Sequence, residues 1–189
     1  MRWQQLFADL QAQFDEAEAS AERGESASRA RLEMGAVTFA DRLQGALGLP
    51  VVLRCAGAGR VAGTLAEAGV DWLLLDDEHG RELLVATAGV RSVSGLTRRT
   101  SPAESGAVHR QLDLRRAVRA LARDRSTVSV LLDDGGSLTG TVDRVGADFC
   151  ELAEHPADEP RRPGAVHAVH AVSLAAISVV VRSPGPALA

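Results

Sequence analysis

Two spacings of apolar residues alternate along this chain. Over residues 2–23 the apolar or small side chains Trp3, Phe7, Leu10, Phe14, Ala17 and Ala21 recur at steps of four and three, with Asp9, Asp15, Glu16, Glu18 and Glu22 on the other faces. That spacing predicts a helix with one narrow apolar stripe. Gly24 is placed to end it, and Ser26 or Ser28 to cap a second helix carrying Leu32, Ala36, Phe39, Leu43 and Leu47, which Gly48 and Pro50 stop. The pair is expected to form an N-terminal helical hairpin over residues 1–48. Its stripes pack on each other or on the domain that follows, or serve a coiled-coil partner.

From Val51 the period drops to two. Val51, Leu53 and Cys55 alternate with Val52 and Arg54, Gly57 and Gly59 bracket a turn, and Val61, Gly63 and Leu65 continue. Gly69 makes the next turn before Trp72–Leu75, residues 76–80 form a polar hairpin loop, and Leu83–Val85 and Val90–Val93 complete five short strands. Closure into a small barrel is the natural way for so short a segment to hide its strand edges, with the interior Gly63 permitting a sharp bend.

The pattern then repeats. Val51, Gly59, Gly63-Thr64-Leu65 and Gly69-Val70-Asp71-Trp72 correspond to Val128, Gly136, Gly140-Thr141-Val142 and Gly146-Ala147-Asp148-Phe149, all 77 residues on. Residues 85–90 correspond to 172–177 at a spacing of 87, so a loop in the second copy, over roughly 154–166 with Pro156, Pro160 and Pro163, absorbs about ten extra residues. Helical spacing returns over 111–125 through Leu114, Ala117, Val118 and Leu121. The expected α+β organisation is a helical hairpin (1–48), a first five-stranded barrel (49–96), a linker (97–110), a helix with a second five-stranded barrel (111–182) and a flexible tail (183–189).

Composition narrows the function. The net charge of −4 argues against a generally basic nucleic-acid binder, so such a role must rest on a local patch. All 21 basic residues are arginine, which reads as a composition bias and lowers the weight of any single one. Cys55 and Cys150 fall at non-equivalent repeat positions in apolar runs, as small buried hydrophobes do. No apolar run reaches the roughly 18 residues of a membrane span and no signal peptide is visible, so a cytoplasmic protein is expected.

The segment from Val128 to Val142 (Val-Ser-Val-Leu-Leu-Asp-Asp-Gly-Gly-Ser-Leu-Thr-Gly-Thr-Val) is similar to the first motif of the Sm-like family, the Sm, LSm and Hfq-type proteins. Ala175-Ala176-Ile177-Ser178-Val179-Val180 is similar to its second motif. The resemblance covers both repeats and leaves out the N-terminal segment. It implies small barrels, binding of RNA or a role in gene expression, and strand-to-strand pairing within and between chains. The nucleotide-holding Asp and Asn of that family fall near Gly69 and Leu73 here, and near Gly146 and Cys150. Its Lys-His pair falls on Leu174 and Ala175, and on Thr87 and Ala88. None of these side chains supplies the same hydrogen bonds. Asp71 and Asp148 are displaced by one or two positions, where they are placed to cap the turns after Gly69 and Gly146.

The candidate nucleic-acid contacts are therefore Arg115, Arg116, Arg119 and Arg123, which share one face of the helix before the second repeat, with Trp72 and Phe149 as stacking rings. A solvated helix face and core aromatics are the plainer account of the same residues. His167 and His170, three apart on a strand, point to opposite faces, and the acidic loop Asp76–His79 reads as solvated, so no metal or other cofactor is expected. With no nucleophile elbow and no phosphate-binding loop, the chain is not expected to be an enzyme. Two readings stand side by side. One is a non-catalytic tandem RNA-binding protein. The other is a protein–protein scaffold that kept assembly edges, lost the nucleotide site and docks partners through the acidic N-terminal segment.

Overall fold

The computed structural model describes residues 2–101, 112–159 and 161–182. Most of the expected linker and all of the expected tail therefore lie outside the described residues. The chain divides into two compact units, residues 1–38 and 39–189.

The first unit holds one helix, α1 (Arg2–Ala36). The expected hairpin is thus corrected: no break occurs at Gly24. A single glycine costs a helix only about 1 kcal/mol relative to alanine, and Glu22, Arg23 and Glu25 around it are good helix formers. Nothing lies within 4 Å of the place a Cβ on Gly24 would take. Of the apolar residues expected to pack, Phe14 is 74% and Leu32 77% exposed, while the side chains of Trp3, Phe7, Leu10, Ala17 and Ala21 lie outside the description.

In the second unit a short helix, α2 (Phe39–Gln44), precedes five strands: β1 (Pro50–Cys55), β2 (Gly59–Ala68), β3 (Trp72–Asp76), β4 (Glu82–Ala86) and β5 (Val90–Ser94). Helix α3 (Leu114–Asp124) leads five more: β6 (Thr127–Leu132), β7 (Ser137–Val145), β8 (Phe149–Glu154), β9 (Ala168–Ser173) and β10 (Ile177–Arg182). All ten form one antiparallel sheet in the order β5-β1-β2-β3-β4-β10-β6-β7-β8-β9.

This overturns the expectation of two closed barrels. β4 pairs with β10 of the other repeat, through Val85↔Val179, Leu84↔Val180 and Leu83↔Val181, and the sheet is continuous and open. The reason lies in those strands. Leu83, Leu84, Val85 and Ala86 are all buried, as are Ile177, Ser178, Val179 and Val180. A strand of a small closed barrel faces solvent on one side and alternates, whereas a strand apolar on both faces needs cover on both. Here each face of the seam meets a different core. Leu83, Val85 and Val179 join the cluster around Leu53, Leu65 and Leu75. Leu84, Ala86, Ile177 and Val180 join the one around Val128, Val142 and Leu152.

The repeat survives inside this sheet. Val51↔Gly63 in β1–β2 corresponds to Val128↔Gly140 in β6–β7, and both β2 and β7 shift register at equivalent places, after Leu65 and after Val142. A single turn of 3₁₀ helix at Thr87–Gly89 is matched by another at Leu174–Ala176. The interior glycines serve close approach: a Cβ on Gly63 would come within 2.6 Å of the Asp76 carbonyl oxygen, and one on Gly140 would collide with that of Ala153.

Candidate interaction surfaces

Helix α3 carries the arginines singled out from the sequence, and its own ends are well made. Asp113 caps it, accepting from the Arg116 amide at 2.9 Å, and Arg125 closes it in the left-handed region (φ 53°), donating its N–H to the Ala122 carbonyl. A further start signal comes from the first repeat. The Asp71 carboxylate accepts the Leu114 amide at 2.6 Å, and the Trp72 indole N–H donates to the Leu112 carbonyl at 2.7 Å. Its sequence position suggests local turn-capping, but the side-chain bond Asp71 makes is a distant one: it satisfies an otherwise orphaned amide at the start of a helix 43 residues on.

With Leu114 and Val118 buried, the helix turns Arg116, Arg119 and Arg123 outward. Among the described residues these three make no ion pair. Arg115 diverges from them. It is half-buried, stands 4.0 Å from Asp113, and its Nε has no hydrogen-bond partner. The four-arginine face is thus a row of three plus one side chain turned away.

The row borders a groove of about 790 Å³ between α3 and the sheet. Its apolar surface comes from Leu74, Leu84, Val145 and Val180 on the strands and Ala117 and Leu121 on the helix. Charged side chains line it as well: Asp143, Arg144, which is bound to Glu151 at 2.7 Å, and Arg182, which is bound to Glu82, itself in the lining, at 3.2 Å. The first-repeat strands, the second-repeat strands and α3 all contribute. No local sequence pattern announces a surface of this kind, because its parts meet only through the β4–β10 seam.

The two aromatic candidates part company. Trp72 is 5% exposed, belongs to the core around Val128 and Leu152, and lends only a margin to the groove. Phe149 is 38% exposed and lies over Gly146, away from the groove lining. It begins β8, next to the outermost strand β9, where Val169 is 57% exposed. The opposite end of the sheet is β5, so among the described residues β5 and β9 each have one edge without a partner strand.

Several other polar groups are engaged locally. Asp77 accepts the amides of His79 and Arg81, both at 2.8 Å, and the Arg81 side chain at 2.7 Å, which together hold its carboxyl down to about 2. His170 pairs with Glu154 at 2.8 Å, and the buried His155 is held between the Thr141 hydroxyl and the Pro156 carbonyl, each at 2.8 Å. Burial raises the thiol pKa of Cys55 and pushes that of Cys150 up to about 11. Among the described residues no group of three or more His, Cys, Asp or Glu is placed to hold a metal ion, and no helix is long and apolar enough to cross a membrane. No protein-family profile and no curated protein matches the chain.

Proposed function

We propose that this chain is a non-catalytic, cytoplasmic interaction scaffold that associates with copies of itself through its free strand edges. The observation that carries the reading is the β4–β10 seam. By the spacing of the repeats, β9 corresponds to β4 and β5 to β10, so the two free edges of the sheet are the same pair of surfaces that already meet inside the chain. Carrying the seam register across the repeats places Ala171 of one copy opposite Val93 of the next, and Val172 opposite Ser92. Such a contact is head to tail and closes a ring or continues as a filament. The free edges carry Ser92, Ser94 and His170 where the seam carries only valine and leucine, so association through them is weaker than the seam and depends on concentration.

The test is a double variant, Ala171→Cys with Val93→Cys, oxidised gently at tens of micromolar and examined on a non-reducing gel beside light scattering of the unmodified protein. A ladder of cross-linked species, with a mass above the 19.8 kDa of one chain, supports the reading. A monomer by scattering with no ladder rejects it.

RNA binding is the second reading, and Arg116, Arg119 and Arg123 favour it, since three guanidinium groups that meet no carboxylate among the described residues can follow phosphates. It ranks second because the groove beside them is aliphatic and the Trp72 ring is buried, whereas single-stranded RNA is read largely on exposed aromatic platforms. A gel shift with uridine-rich and adenine-rich RNA at two salt concentrations decides it.

A further inference from the structure

The groove beneath α3 has a chemistry of its own that self-association does not use, and we propose that it is a docking site for an acidic amphipathic helix of a partner protein. The argument is one of complementarity. The surface is an aliphatic trough, with Leu74, Leu84 and Val180 from the sheet facing Ala117 and Leu121 from the helix. Its helical border carries Arg116, Arg119 and Arg123, spaced three and four apart, so their guanidinium groups stand in one row along the axis. A helix laid beside α3 presents side chains at the same three-and-four spacing. An apolar stripe would fill the trough, and carboxylates on the flanking stripe would meet the row.

The charges are not neutralised within the described structure, although the chain as a whole is acidic. Glu82, Asp113, Asp124, Asp143 and Glu151 lie near α3 or line the groove, yet Glu82 is bound to Arg182, Asp113 caps the helix and stands beside Arg115, Asp124 stands 3.8 Å from Arg182, Asp143 is bound to Arg125 and Arg161, and Glu151 to Arg144. The three row arginines are left over. Eleven residues of α3 span about 16 Å at about 1.5 Å per residue, which sets the matching segment at roughly three helical turns.

The experiment uses the full chain and fluorescein-labelled 15-residue peptides. One probe is amphipathic, with Leu at helical spacing and Glu on the adjacent stripe; a second has the same composition scrambled. A uridine 15-mer and oleate are run as competitors. Anisotropy is expected to show the amphipathic peptide binding at least about tenfold more tightly than the scrambled one, with affinity falling as salt rises. Arg119→Glu with Arg123→Glu should weaken it about tenfold or more, while Arg54→Glu with Arg60→Glu on β1 and β2 leaves it unchanged. Ala120→Trp, which fills the trough from the helix side, should block binding with the melting temperature retained. Equal binding of the scrambled peptide overturns the proposal, as does indifference to the charge reversal. Tight binding of the uridine 15-mer without the peptide makes this an RNA face, and binding of oleate alone makes it a site for anionic amphiphiles; either result also overturns it.

Discussion

The two repeats share strand order and bulges, but the same Asp-aromatic pair has different surroundings in each. Asp71-Trp72 in the first repeat and Asp148-Phe149 in the second follow the same glycine turn, and Gly69 and Gly146 each accommodate the aromatic ring that follows. Asp71 and Trp72 sit at the seam, where the segment leading into α3 covers them and takes both of their hydrogen bonds. Asp148 and Phe149 sit toward the open end, where β9 is the last strand among the described residues, and Phe149 is correspondingly exposed. The difference arises from neighbourhood: the first motif is covered by the segment leading into α3, and the second is not.

That contrast can be broken at three levels. The largest effect is expected for Trp72→Ala, which removes a buried ring and leaves the Leu112 carbonyl without its donor. It should cost about 3–5 kcal/mol, against less than about 1.5 kcal/mol for Phe149→Ala. Urea denaturation of both variants measures the gap, and equal costs would mean that the open end is as well covered as the seam.

Next is the pair Asp71→Ala and Asp148→Ala. The first strips the Leu114 amide of its acceptor and should cost about 1–3 kcal/mol, with loss of helical circular dichroism before the sheet melts; the second should stay within about 0.5 kcal/mol.

The smallest effect lies in the β3–β4 connection, where the first repeat uses the turn braced by Asp77 and the second a longer loop held by His155. The folded protein holds the Asp77 carboxyl down to about 2, below its ordinary value of 3.8. A depressed carboxyl stabilises the fold above its unfolded pKa, and the gain is lost as pH falls through the folded one. The difference in melting temperature between the wild type and Asp77→Asn should therefore be constant above about pH 5 and close between about pH 4 and pH 2. A difference that is undiminished at pH 2 would assign the role of Asp77 to its shape rather than its charge.

The duplication was legible because it rests on local pattern: glycines, alternation and spacing recur at 77 and 87 residues, and the strands form where they predict. Helix α3 was legible for the same reason. Strand partnership was not, since it is decided between residues about a hundred positions apart. The one local hint was the unbroken apolar character of Leu83–Ala86 and of Val179–Val181, which departs from the alternation of β1. The hairpin was misread at Gly24, where a single weak helix former was given more force than its neighbours allow. Arg116, Arg119 and Arg123 could be placed on one face from the sequence, whereas their separation from Arg115 and the aliphatic trough beside them depend on how α3 is seated.

The hydrogen bond from Leu114 to Asp71 also bears on how such a chain can change over time. Because the second half rests the first amide of its helix on a carboxylate lent by the first, a gene encoding that half alone yields a polypeptide that keeps the Asp113 cap but leaves the Leu114 amide without its acceptor. Separating the halves would therefore cost the helix one of its two side-chain acceptors, whereas changes at the exposed ends would leave that junction untouched.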